Sequence, residues 1–213
     1  MKIVAVLTAT IALYASHAQA AMIYQNDFEG TVGSEWSNTS TSVTPIGGRT
    51  FLGEFTTETV SLSLTGLAPH TVTTIEFDLF ILKSWDGSQV NHTGGNQGVV
   101  GPDSFQFGVD GVTLLDETFQ NPFYTFTQSY PDGGSNPPLT GAEEHNTLGY
   151  YGTGTNQRLE GDSVYHLEFT IFHSANDIKL DFSAFLQDEA NNGDDPSPAR
   201  HRRLGPGRIR LAT

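Results

Sequence analysis

Residues 71–87 read TVTTIEFDLFILKSWDG, and their spacing decides the class of the fold. From Ile75 onward, Ile75, Phe77, Leu79 and Ile81 alternate with Glu76, Asp78, Phe80 and Leu82, which is the period of a β-strand rather than of a helix. Phe80 and Leu82 make the second face apolar too, which predicts that the later half of this strand is covered on both sides, as at the centre of a sandwich. The strand runs into Ser84, Trp85, Asp86 and Gly87, a polar and aromatic loop of the kind that carries sites.

Working outward, strands are expected at residues 22–28, 50–55, 59–65, 104–109, 112–115, 163–172 and 177–185. The third of these sets Val60, Leu62 and Leu64 against Ser61, Ser63 and Thr65. Asp110-Gly111 between two alternating runs is a strong hairpin signal. Residues 31–48 and 121–153 have little periodicity and read as loops, the second long enough to suggest a role of its own. No internal repeat is visible. Antiparallel strands at this spacing predict an all-β fold, an antiparallel β-sandwich of jelly-roll type. Its expected core holds Phe77, Leu79, Ile81, Phe105, Phe107, Leu167, Phe169, Leu180 and Phe182.

Composition agrees: 23 Gly and 10 Pro in 213 residues imply many turns, and 14 Phe and 7 Tyr suffice for one core. The net charge is -14, yet five of the ten basic residues fall within the last fourteen positions, so residues 1–198 set five basic against 24 acidic groups and carry -19. Such a body repels phosphate backbones, which argues against nucleic acid as a partner and leaves cations such as Ca²⁺ open. Without cysteine there are no disulfides or thiolate metal sites.

Residues 1–20 form an export leader by pattern. Lys2 is followed by an apolar run to Ala15 and a small-x-small cleavage site at Ala18, Gln19 and Ala20. That run falls short of the roughly 20 residues needed to span a bilayer. The mature chain, with no later apolar stretch of that length, is expected to be secreted, or held at the cell surface, with residues 21–187 as its sandwich domain. Beyond Asp188 the composition turns to Asn, Asp, Pro and Arg. Residues 188–213 therefore read as an irregular basic tail, and a shift of reading frame would explain the abrupt change: codons for residues 203–208 read one base later can encode Trp, Gly, Leu and Asp.

A set of short motifs resembles a family. DFEG at 27–30, EWS at 35–37, FLGEF at 51–55, SWDG at 84–87, GPD at 101–103 and NTLGY at 146–150 are similar to secreted bacterial β-sandwich proteins, many of which carry a PEP-CTERM sorting tail. More distantly they look like concanavalin A-like or galactose-binding-like jelly rolls. The resemblance implies fold and export, and it departs in two places: no sorting tail is present, and no WGLDNV-like final strand.

Three chemistries follow. In jelly-roll binding modules an acid after the first strand helps hold a structural Ca²⁺, and the matching residues here are Asp27 and Glu29; Ca²⁺ would need six to eight oxygens. Glycans stack on aromatic rings while polar groups orient their hydroxyls. Trp36, Trp85, Tyr130, Tyr150 and Tyr151 lie in expected loops, with Asp86, Asn91 and Asp103 near them. Last, Glu76-Phe77-Asp78 resembles the start of the ExDxxE motif of laminarinase-type glycosidases, but Ile81 stands where the last Glu belongs. A retaining hydrolase needs both carboxyls, so no catalytic residues are assigned. The histidines show no metal-ligand spacing. The sequence thus predicts a non-enzymatic secreted module for a glycan or extracellular polymer, with a structural surface or matrix protein lacking a small ligand as the alternative.

Overall fold

The computed structural model describes residues 21–89, 101–121, 126–150, 161–186 and 203–213. Among them all regular structure is strand: β1 (Met22–Asn26), β2 (Thr41–Val43), β3 (Thr50–Leu52), β4 (Val60–Leu64), β5 (Val72–Leu82), β6 (Ser104–Val109), β7 (Val112–Thr118), β8 (Glu144–His145), β9 (Asp162–Phe172), β10 (Ile178–Phe185) and β11 (Arg203–Ala212). No helix among the described residues is long and apolar enough to cross a membrane. The leader lies outside the described residues.

Two antiparallel sheets pack face to face, ordered β1-β11-β5-β9-β8 and β4-β10-β6-β7, with β2 and β3 forming a separate ribbon. When that ribbon and the two-residue β8 are set aside, the eight remaining strands, renumbered in chain order, run 1-8-3-6 and 2-7-4-5. This is the jelly-roll order. β5 is central, paired with β9 on one side and β11 on the other. Its inward residues Ile75, Phe77, Leu79 and Ile81 are all buried. Phe77 lies at the middle of an aromatic cluster, 4.9 Å from Phe107, 5.1 Å from Phe182 and 6.1 Å from Phe169 between ring centroids. Each such pair adds about 0.5–1.5 kcal/mol beyond the area it buries.

The expected core residues are buried, Phe169 partly so. The doubly covered upper half of β5 also follows its sequence: on the outer face Phe80 and Leu82 join Phe51, Leu148 and Val164 in a second apolar cluster. The β2–β3 ribbon lays Phe51 across Phe80 at 5.3 Å to form it. At the β6–β7 hairpin Asp110 and Gly111 both have positive φ, 51° and 80°, the type I′ geometry that Asp-Gly favours.

Three expectations need correction. β2 arises within the stretch read as the 31–48 loop, and β8 within 121–153, both too short to show a period. The larger error concerns 188–213, read as an irregular tail leaving the sandwich unclosed. Residues 187–202 lie outside the described residues, but Arg203–Ala212 is a central strand between β1 and β5. Leu204, Ile209 and Leu211 are buried in the core. A register irregularity between Pro206 and Ile209 shifts the inward positions out of strict alternation. It also accommodates Pro206, which has no N–H to donate. Gly205 and Gly207 are required by close approach: a Cβ on the first would strike the Leu52 carbonyl, and on the second the Phe80 ring. The translated residues therefore supply the closing strand.

Candidate functional site

Most residues singled out from the sequence serve as staples at one end of the sandwich. Trp85 is 1% exposed, edge-on to Phe119, so its ring has no face for a sugar. Asp103, fully buried, accepts the Asp86 N–H at 2.7 Å through Oδ2, and its own N–H donates to the Gly87 carbonyl. Gly87 has φ 63°, and a Cβ there would strike the Thr127 carbonyl. SWDG and GPD are thus two halves of one clasp. Tyr130 stacks on Phe119 at 4.9 Å, and burial raises the pKa of its hydroxyl. Trp36 is buried on Phe28, its Nε1–H donating to the Tyr24 hydroxyl. Asn91 and Tyr151 lie outside the described residues. Trp85→Ala is therefore expected to destabilise the fold by about 3–5 kcal/mol, the usual cost of emptying a large aromatic site, while leaving ligand affinity per folded molecule unchanged. Urea unfolding beside a binding isotherm checks both.

NTLGY has a parallel role. The buried Asp162 carboxylate accepts four backbone N–H bonds, from Thr147 and Leu148 on Oδ1 and from Gly149 and Tyr150 on Oδ2, at 2.8 to 3.0 Å. This fixes Leu148 in the outer cluster and sets Tyr150 edge-on to Phe51, with its hydroxyl donating to Glu54 at 3.0 Å. Burial first, then the charge of Glu54, raises the Tyr150 pKa. Tyr150 therefore roofs the outer cluster and offers little as a stacking platform.

What the sequence reading did not assemble is a recess of about 360 Å³ on the outer face of the five-stranded sheet, lined chiefly by Asp27, Glu29, Arg49, Asp78, Glu144 and Arg208, with Phe80 and Val164 beneath. The sheet explains the set. Strand alternation sends Glu76, Asp78 and Phe80 outward, and register puts Asp78 opposite His166 on β9. Asp78 Oδ1 lies 2.9 Å from His166 Nδ1 and Oδ2 lies 3.5 Å from Arg208 Nη2. Across the recess Arg49 Nη1 donates to both Glu144 oxygens at 2.9 and 3.0 Å, while its guanidinium lies 4.6 Å from the Phe80 ring centroid. Glu29 accepts from Thr50 N and Oγ1 at 2.8 and 2.7 Å, tying the end of β1 to β3. The two predicted calcium residues therefore do line the recess, but Asp27 Oδ1 already accepts the Glu29 N–H. Among the described residues no group of three or more His, Cys, Asp or Glu side chains gathers around one point.

The signal for Asp78 was present in the β5 alternation. Arg208 could be found only by recognising β11, and Arg49 and Glu144 meet across 95 residues of chain.

Electrostatics here has a testable sign. The Glu144 carboxyl is desolvated, which raises its pKa, but bonds from Thr147 and Arg49 outweigh that and hold it below its ordinary 4.5. Glu29 is also lowered, mainly by the backbone and then the side-chain bond of Thr50. A folded value below the unfolded one means stability that is present above pH 4.5 and lost as pH falls through the depressed value. Wild type is therefore expected to lose more stability than Glu144→Gln between neutral pH and pH 3. Urea midpoints at both pH values measure the difference, and equal losses would contradict it.

The class is now defined: an antiparallel jelly-roll β-sandwich with a charged recess on one outer sheet face. No family model matches the chain, and no curated protein matches it. Among solved structures it is similar to dimeric latent PorU from Porphyromonas gingivalis, at a TM-score of 0.42 and 11% identity over 92% of this chain and 13% of that one. It is also similar to the carbohydrate-binding module CBM6cm-2 of Cellvibrio mixtus lichenase 5A, solved in complex with cellotriose, at a TM-score of 0.33 and 15% identity over 90% of this chain and 98% of that one.

Proposed function

We propose that the protein is an exported, non-catalytic binding module that takes a glycan in the recess beneath Arg49. The recess carries this reading: it is open and concave, and hydrogen-bonding groups converge on it above a partly apolar floor, the composition of a site for a polyhydroxylated ligand. Export rests on the leader and the PEP-CTERM-type likeness on the motifs alone. The absence of a catalytic role rests on Ile81, which occupies the place of the missing carboxylate and is buried in the core. A glycan array followed by titration of the best hit tests the reading. Arg49→Gln and Asp78→Asn are each expected to weaken binding at least tenfold, the scale of one lost charge-assisted hydrogen bond. Full affinity in both variants would refute it.

Calcium belongs to the proposal as a weak occupant. Asp27 and Glu29 would supply it with carboxylates, but the Glu29 oxygens are held by Thr50, so binding must compete with that clasp. With a dissociation constant of about 1 mM, typical of extracellular modules, about 10 mM Ca²⁺ would add about 1.4 kcal/mol. Thermal unfolding with and without Ca²⁺ checks this, and a much larger response would show a complete site instead.

A structural role without a small ligand is favoured by a different observation: Phe172, 95% exposed, stands opposite exposed Val72 in the β5–β9 register, an apolar edge suited to polymer contact or self-association. No hit on the array together with concentration-dependent association would select that role.

A further inference from the structure

Where β5 begins and β9 ends, three residues far apart in sequence come together. His70 precedes β5, His173 follows β9 with its N–H on the Thr71 carbonyl, and Asp110 is in the β6–β7 turn. The two imidazoles lie nearly parallel, with centroids 4.9 Å apart, and His70 Nε2 is 2.7 Å from His173 Nδ1.

The outer nitrogen of each ring lies near an oxygen. His70 Nδ1 is 2.7 Å from the Ala68 carbonyl, which only accepts, so this nitrogen carries a hydrogen. His173 Nε2 lies 3.2 Å from Asp110 Oδ2. It is off the line of a hydrogen bond and has no other hydrogen-bond partner, so the ring hydrogen can sit on either nitrogen of His173. Asp110 is itself fixed, since its Oδ1 accepts the Lys179 N–H at 2.8 Å. With that hydrogen on Nδ1, His173 donates to His70 Nε2 at 2.7 Å; with it on Nε2, beside the carboxylate, the two facing nitrogens present lone pairs that can take a cation.

We propose that His70 Nε2 and His173 Nδ1 bind a divalent transition ion of the zinc class. Paired imidazole nitrogens suit zinc rather than calcium. A carboxylate and a backbone carbonyl on the far nitrogens are the supports that zinc-bound histidines use, and they make Asp110 a positioning residue. Zn–N bonds of 2.0–2.1 Å at tetrahedral geometry set the nitrogens about 3.3 Å apart. His70, on a partly exposed loop, needs to swing out only slightly to reach this. The remaining positions fall to water or to a partner's ligand, and the acidic chain favours a cation on its surface. The sequence hid the site because 103 residues separate its ligands. It is independent of the glycan recess.

The test uses tag-free mature protein and ZnCl₂ alone, followed by calorimetry and by NMR of the histidine ring nitrogens. One Zn²⁺ per chain is expected to shift His70 Nε2 and His173 Nδ1. His70→Gln, a change on the surface loop that leaves the far-ultraviolet circular dichroism unaltered, is expected to abolish those shifts. Asp110→Asn is expected to weaken binding about tenfold, whereas exposed His145→Gln leaves it as in wild type. A proton shared by the two nitrogens that saturating Zn²⁺ fails to displace, or zinc bound only at other histidines, would overturn the proposal. So would unchanged affinity in His70→Gln.

Discussion

Asp162→Ala is expected to lower stability by about 3–5 kcal/mol and to release residues 146–150 from the sheet. The carboxylate is fully buried and holds four backbone N–H groups. Each would be left without an acceptor in an apolar setting, at about 1–3 kcal/mol for any that water does not reach. Loss of the clasp also frees Leu148, so the outer cluster opens over Phe51 and Phe80. Against a typical total of about 5–15 kcal/mol, such a loss is severe. Asp162→Asn is a sharper probe, because its amide keeps one accepting oxygen and turns an NH₂ toward donors. It should fall between wild type and alanine. Urea unfolding gives the order, and a loss under 1 kcal/mol for alanine would contradict the assignment.

Ile209→Asp is expected to abolish folding. Ile209 is fully buried on β11, between Asn26 of β1 and Phe77 of β5 in the sheet register. A lone carboxylate there has no cation facing it from the aromatic core, and burying an unpaired charge costs more than most domains can spare. Arg208→Ala, one position earlier and exposed, should change stability by no more than about 0.5 kcal/mol. Circular dichroism and solubility separate the two variants. A folded Ile209→Asp protein of wild-type stability would mean that residues 203–212 attach loosely after all.

What the sequence revealed and concealed follows from how each element is stabilised. β5, β6, β9 and β10 bury one face over six or more residues, and their period of two is written directly in Phe77, Phe105, Leu167 and Phe182. β11 is equally central, but Gly205 and Gly207 are selected by the close approach of Leu52 and Phe80, and the irregularity after Pro206 breaks the pattern. Its arginines read as a solvated tail, whereas Arg210 stands in register with Glu76 of β5 and Arg208 reaches Asp78 at 3.5 Å. The motifs behind the family resemblance were legible as motifs but not as roles. Trp85, Asp103 and Tyr150 resemble binding residues in sequence, because the aromatic and polar side chains that bind sugars are also those that cap the end of a sandwich or roof its outer face. The recess escaped notice because ion pairs such as Arg49 with Glu144 join distant parts of the chain and leave no local spacing.

The most direct test of a recess-centred binding function is to map amide chemical-shift changes in labelled protein titrated with the best glycan from the array. Changes are expected at Arg49, Thr50, Asp78, Glu144, Val164 and Arg208, with none at Trp85 and Asp103. Changes centred on 84–87 and 101–103 with a silent recess would contradict the account.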